Sequence, residues 1–292
     1  MRFDGNLAWQ QAVRLFSTNK ELLLVLAGVF FFLPGVASAL FLGDMQTQVM
    51  RDISTVDSHD TRAMMAAMGA MYGKMGPYVA AMVLVQTVGT MAMMALLTDA
   101  ARPTVGQAIA MGIARLPTLL GVLALMLLGY LVSAAVFGVA IMLIAAAASA
   151  ASGTAGAGVA IAMGMGLFVA FMLVALTRLS VTLPVIMIDQ MRHPLRAMRR
   201  SWALTRGSTA PLLGFYLMLF VAYMVIALVL YMVATAPISL ITDKGSTGFY
   251  TASGIVSGLI GGAASALGTT ILCAVHGQLG GAGRETLSET FR

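Results

Sequence analysis

The sequence predicts an all-α polytopic membrane protein with six transmembrane helices and short cytoplasmic amphipathic helices. Composition is the first reason: 60% of residues are hydrophobic, only 10% are charged, and the mean hydropathy is +0.93, far outside the averages of soluble chains. Length is the second. A helix needs about 20 apolar residues to cross roughly 30 Å of hydrocarbon, and the 292 residues hold about six such runs in what reads as one membrane domain, 1–292. The third is where the charges fall. The net charge of +6 and pI near 9.8 arise from Lys and Arg in short segments between apolar runs, the distribution that sets orientation during insertion. Nucleic acid is not an expected partner, because no clustered basic module with exposed aromatics is present.

Residues 6–17, NLAWQQAVRLFS, place Ala8, Trp9, Ala12, Val13, Leu15 and Phe16 on one half of a helix and the polar side chains, with Leu7 as the exception, on the other. Such a segment is too short to span and suits the headgroup boundary, or packing on neighbouring spans. The run Leu22–Leu42 is the first span. Its basic lead and Ala37-Ser38-Ala39 resemble a cleavable signal peptide, but the long amphipathic lead and the continuation through Leu42 predict an uncleaved anchor. Residues 44–76 have no positive excess and belong outside. Met64, Met68, Met71 and Met75 lie there at helical spacing, and Asp57, His59 and Asp60 lie nearby. Clustered thioethers can bind a soft metal such as Cu(I), but with 24 methionines along the chain these read as flexible packing residues, and the spacing of Asp57, His59 and Asp60 is not that of a known metal site. No metal and no cofactor is expected.

The second span covers 77–97, and residues 104–116 read as a second short amphipathic helix with Val105, Ile109, Ile113 and Leu116 in one stripe. From Leu116 to Thr177 no charged residue occurs. That length predicts two spans, 117–147 and 158–183, joined by a turn at Ser149–Gly156, where small and polar residues dominate. Just past the end of the second of these, Pro184 removes the donor for the Ser180 carbonyl and predicts a bend. A third amphipathic helix, 195–206, sets Leu195, Met198, Ser201, Trp202, Leu204 and Thr205 against Arg196, Arg199, Arg200 and Arg206. The fifth span is 211–234. The sixth, 253–279, is rich in Gly and Ala, which lets helices approach closely. Its Cys273 is the only cysteine, so no intrachain disulfide can form.

The stretch Arg178–Phe220 organises the rest, since it carries the cation inside an apolar run, Arg178, and five more of the 17 basic residues, between Arg192 and Arg206. Its string R-L-S, then P-V-I-x-x-acid, then A-x-x-R-S-W-x-L-T-R-G resembles the membrane domain of the glycerophosphoryl diester phosphodiesterase membrane-domain family. Arg178, Pro184, Asp189, Ser201, Trp202 and Gly207 stand at the distinctive positions. The resemblance implies a six-span domain that precedes a soluble phosphodiesterase domain or stands alone, and the short tail after 279 implies the second form, without catalytic activity.

Seventeen Lys and Arg distribute as twelve inside, four outside and Arg178 within a span, which places both termini in the cytoplasm of a bacterial inner membrane. Pairs of spans begin near Leu22, Leu119 and Leu212, each after an amphipathic helix, a regularity that suggests three copies of one hairpin unit. No nucleophile, acid pair or His cluster converges in the spans, so an enzyme is not expected. A lipid-associated or scaffolding protein is the preferred class. A small-solute or lipid transporter is the alternative, with Pro34-Gly35 as a candidate helix break. Arg178, Arg196, Arg199 and Arg200 are the candidate lipid- or anion-binding residues. Anionic phospholipid is the expected partner, with a second membrane protein or another copy of the chain as further candidates. Reporter fusions after Lys20, Asp99, Arg206 and Arg284 should read cytoplasmic and those at His59, Gly153 and Lys244 external; reversal at any two sites overturns this orientation.

Overall fold

A computed structural model describes residues 3–40, 45, 60–98, 103–242 and 247–280. Asp57, His59, Asp99, Lys244 and Arg284 lie outside the described residues. The described chain is all helical: α1 Gly5–Leu40, α2 Thr61–Thr98, α3 Val105–Leu179, α4 Thr182–Met187, α5 Pro194–Thr205, α6 Thr209–Ile241 and α7 Thr247–Gly280. Five of these, α1, α2, α3, α6 and α7, contribute segments long and apolar enough to cross a membrane.

The first turns of α1, α2 and α3 are capped by side chains, which satisfies orphan N–H groups. Asp4 Oδ1 accepts from the amides of Asn6 and Leu7 at 2.9 and 3.1 Å, and Asp60 Oδ1 accepts from those of Arg62 and Ala63 at 3.0 Å. At α3, Gln107 Oε1 accepts from the Thr104 amide at 2.9 Å while Thr104 Oγ1 accepts from the Gln107 amide at 3.4 Å, a reciprocal capping box.

The helix α3 is longer than any span because it folds back on itself. Ser152 (φ −141°, ψ 17°) and Gly153 (φ 69°, ψ −160°) leave helical geometry, and the Gly153 conformation is one that only glycine adopts readily. The two limbs then pack antiparallel. Phe137 lies 5.3 Å from Phe168 and 5.4 Å from Phe171 between ring centroids, and Gly164 is seated under Ile141. Each limb is of membrane length, so the five helices supply the six apolar segments expected from sequence.

The three junctions between amphipathic segments and spans differ. In α1 the backbone kinks at Asn19 (φ −117°, ψ 18°). Residues 105–116 instead run straight into the span, with Pro117 inside an unbroken helix. Between α5 and α6 the chain turns at 206–208. Nor does Pro34 break α1. The helix widens into a π-turn at Gly28–Phe32, with the Leu33 amide donating to the Gly28 carbonyl, and this wider turn accommodates a proline that cannot donate to Phe30.

The chain divides into two compact units. One comprises Met1–Ala8, Ala114–Met218 and Ala274–Arg292; the other comprises Trp9–Ile113 and Leu219–Cys273. The second is held by close helix approach. Along α7, Gly254 meets Ala39, Gly258 meets Phe32 and the Gly35 backbone, and Gly262 meets Ala27, all on α1. The four-residue spacing of these glycines puts them on one stripe, the small-residue packing used where lipid gives no hydrophobic drive between helices. Phe30, at the π-turn, fills the space over Gly89 of α2. The core of this unit is completed by Leu23, Leu26, Met91, Met93 and Met94, all fully buried.

A side chain at position 258 would meet the Phe32 carbonyl oxygen at 3.2 Å, whereas position 261 has nothing within 4 Å. Gly258→Leu should therefore destabilise the protein by about 1–3 kcal/mol, and Gly261→Leu should be tolerated. Thermal unfolding of the two variants in the same detergent tests this, and equal midpoints would remove the packing role from the stripe.

Candidate functional site

The site is built where the second limb of α3 ends. A helix leaves its last carbonyls without backbone donors, and at a membrane boundary that cost is large unless other groups donate. Here hydroxyls do so, the Ser180 amide adding a long 3.4 Å bond to the Thr177 carbonyl. Ser180 Oγ donates to the Thr177 carbonyl at 2.8 Å, Thr182 Oγ1 to the Leu179 carbonyl at 2.6 Å, and Ser201 Oγ to the Arg178 carbonyl at 2.8 Å. Thr205 Oγ1 lies 3.2 Å from that same carbonyl, but 2.9 Å from the Ser201 carbonyl. One hydroxyl proton serves one acceptor well, so Ser201 is the principal donor and Thr205 stands ready as its second. Ser180 Oγ is also 3.1 Å from Tyr216 Oη of α6.

Pro184 explains the break before α4. Without an N–H it leaves Ser180 unsupported, and the chain turns at Ser180 and Val181 before Thr182. The short α4 is buried at Thr182, Pro184, Val185, Ile186 and Met187. It forms part of this unit's core together with Val181, Leu212, Phe215 and Val275.

The loop that follows is held in place by α3. Gln190 takes a left-handed conformation (φ 54°), and Arg115 grips it, Nη1 donating to its carbonyl at 3.3 Å and Nη2 to its side-chain oxygen. Thr118 Oγ1 donates to the Arg192 carbonyl at 2.9 Å. One turn on, Gly121 leaves room for Pro194: a Cβ at 121 would stand 3.0 Å from the proline ring. Pro194 is the first residue of α5, where a missing N–H costs nothing.

Anchored at that end, α5 turns a narrow stripe inward. Ala197, Ser201 and Thr205, four residues apart, are its buried positions. Small side chains there bring the hydroxyls within reach of Arg178. Of the half set against the arginines, Ser201 and Thr205 are buried, whereas Leu195 is 53% and Trp202 41% exposed, because bulk at the contact would push the hydroxyls away from the carbonyl they cap.

The candidate residues separate into distinct environments. Arg178 is half-buried, its guanidinium carbon 4.6 Å from the Trp202 ring centroid, a cation–π contact. Its Nε is buried without a hydrogen-bond partner. Asp189 engages other partners: Arg200 Nε lies 3.4 Å from one carboxylate oxygen and His276 Nε2 of α7 lies 3.2 Å from the other. The His276 approach is close but outside hydrogen-bond geometry, leaving that buried nitrogen unsatisfied. Arg196 and Arg199 are exposed, and Arg200 is exposed but tied to Asp189. Gly207 lies in the exposed turn to α6, with open space where a side chain would go. Among the described residues no cluster of His, Cys, Asp or Glu could hold a metal.

Residues 156–271 match the family described as the membrane domain of glycerophosphoryl diester phosphodiesterase. The matched segment contains the second limb of α3, the capped carbonyls, the Arg178–Trp202 stack and α5. It begins three residues after the Gly153 turn, so the family's pattern covers the hydroxyl caps and both stacked residues. It does not reach Arg115 or His276, which complete the setting of Gln190 and Asp189. No curated protein and no solved structure matches the chain.

No local pattern in the sequence marks the grip of Arg115 on Gln190 or the meeting of His276 with Asp189, because each partner lies more than seventy residues away. Because Ser201 and Thr205 share an acceptor, Ser201→Ala alone should cost little as Thr205 takes over. Ser201→Ala with Thr205→Val should cost about 1–3 kcal/mol by stranding a buried carbonyl. A thermal-stability comparison of the single and double variants decides this, and simple additivity of small effects would refute the shared acceptor.

Proposed function

We propose that the chain is a non-catalytic, lipid-associated or scaffolding protein of a bacterial inner membrane, with both termini cytoplasmic and α5 at the cytoplasmic headgroup boundary. The observation that carries this reading is the outer surface of α5. Its small stripe docks inward, and what remains outside is mixed: Arg196 and Arg199 as exposed cations, with Leu195 and Trp202 as apolar and aromatic side chains. A surface made for water alone would not expose the second pair. A surface buried in hydrocarbon would not expose the first. The anionic headgroup region accepts both, cations through the surface potential and the indole at the interface.

The apolar surfaces of α3 and α6 fit the same placement. Leu127, Leu128, Met142, Leu143, Leu228 and Val229 are among many large side chains exposed there, as expected for helices facing acyl chains. Between the limbs of α3 lies an open furrow of about 930 Å³ lined by Ile141, Ile144, Val159, Met163 and neighbours, almost entirely apolar. The one polar side chain in its lining, Ser152, donates its hydroxyl to the Ala148 carbonyl at 3.0 Å, and so apolar a lining supports lipid association over solute transport.

Basic residues beside an anionic surface contribute about 1 kcal/mol each. Arg196→Gln with Arg199→Gln, which spares the Arg200–Asp189 pair, should lower retention of phosphatidylglycerol on the purified protein by roughly thirtyfold. The loss should shrink as salt rises. Phospholipid assay after gel filtration at low and high salt gives the answer; retention equal to the parent at low salt would reduce these arginines to markers of topology.

A further inference from the structure

Arg178 combines a geometry set before any ligand arrives with a guanidinium that, among the described residues, is not tied to an acceptor as those of Arg115 and Arg200 are. Its backbone is pinned, because the carbonyl is held by Ser201 and approached by Thr205. Its guanidinium is laid against Trp202. The carboxylate nearest in sequence, Asp189, is occupied by Arg200 and His276. Among the described residues no acceptor meets the Arg178 guanidinium, and its Nε is buried and unpaired. A charge partly withdrawn from water and lacking a counter-ion is costly. Stacking on an indole offsets part of that cost and restrains the plane of the fork.

We propose that the Arg178–Trp202 stack is a single binding site for a phosphate group, filled by the headgroup phosphate of one membrane phospholipid. The inference rests on the lipid-associated reading above and adds a stoichiometric site to its diffuse surface attraction. The chemistry is that of a forked donor. Two terminal N–H groups of a fixed guanidinium match two oxygens of a phosphate, a bidentate pair that a lysine cannot form. The site sits at the end of an apolar helix limb, where the phosphate of a lipid whose acyl chains run beside α3 arrives at the same depth. Trp202 acts as a positioning residue, holding the plane of the fork without touching the phosphate oxygens. Arg196 and Arg199, with no such platform, attract any anionic surface.

The chain has two tryptophans, so a Trp9→Phe background makes Trp202 the sole emitter and lets the platform report on its own arginine. The full-length protein in detergent is titrated with short-chain phosphatidylglycerol, short-chain phosphatidylcholine and inorganic phosphate. Both lipids should produce a saturable change in emission with one-site stoichiometry, since both carry the phosphate, and the change should persist in the Arg196→Gln, Arg199→Gln variant. Arg178→Lys should bind about tenfold more weakly, the loss of one charge-assisted hydrogen bond. In Trp202→Phe, followed by isothermal calorimetry instead, binding should weaken less, because a smaller ring still supports the fork. A response that grows without saturation overturns the site, as does equal affinity in Arg178→Lys. Saturation by inorganic phosphate at the lipid's concentrations overturns the lipid source. Loss of the surface attraction alone, with this titration unchanged, would leave the site standing while removing the broader electrostatic reading.

Discussion

The candidate site depends on how the carboxyl end of α3 is satisfied. Carbonyls at a helix terminus near hydrocarbon cannot rely on water, and each one left bare costs more there than at a soluble surface. Three successive carbonyls, of Thr177, Arg178 and Leu179, receive hydroxyl donors from Ser180, Ser201 and Thr182. Two of these donors are local. The third comes from another helix, and it couples the position of α5 to the end of the membrane limb.

That coupling accounts for the composition of the R-S-W-x-L-T stretch. Ser201 must be small to bring α5 close, and it must carry a hydroxyl to cap Arg178. Thr205, one turn later on the same stripe, supplies a second donor and fills the contact. Trp202, adjacent to Ser201, is then carried to the outer side, where it meets the Arg178 side chain. Backbone and side chain of one arginine are thus held by consecutive residues of one helix. Pro184 contributes from the other side by ending α3 where these carbonyls become available.

The two units solve their packing by different chemistry. The unit of α1, α2 and α7 segments uses missing side chains: glycines at 89, 254, 258 and 262 admit a neighbouring helix or a phenylalanine ring. The unit with the candidate site adds polar closure to such packing at Gly121 and Gly164, through Arg115, Thr118, Ser180 and Ser201. The difference follows from backbone state. Regular helices in lipid have their N–H and C=O groups satisfied and need only shape, whereas the broken segment 180–193 exposes backbone groups that need partners.

The helical membrane class was determined by the sequence alone, because burial of a backbone in hydrocarbon admits few structures and the apolar run lengths state how many crossings occur. The turn at Ser152–Gly153 was legible for a similar reason: only a stretch of small residues with a glycine could reverse a helix pair there. The extent of α5 was legible too, from its charge period, to within one residue of Pro194–Thr205. Its orientation was legible only in part, since Ser201 and Thr205 lie on the half set against the arginines and are buried. The periodicity of apolar side chains puts Leu195 and Trp202 on the inward side, but a docking surface made of carbonyl oxygens selects hydroxyls and small side chains, which weigh little in any apolar pattern. The continuity of α3 through Pro117, the widening of α1 before Pro34, the hold of Arg115 on Gln190 and the engagement of Asp189 by Arg200 and His276 were likewise settled only in three dimensions. Each depends on which groups a distant segment brings within about 3 Å, and spacing along one chain carries no record of that distance.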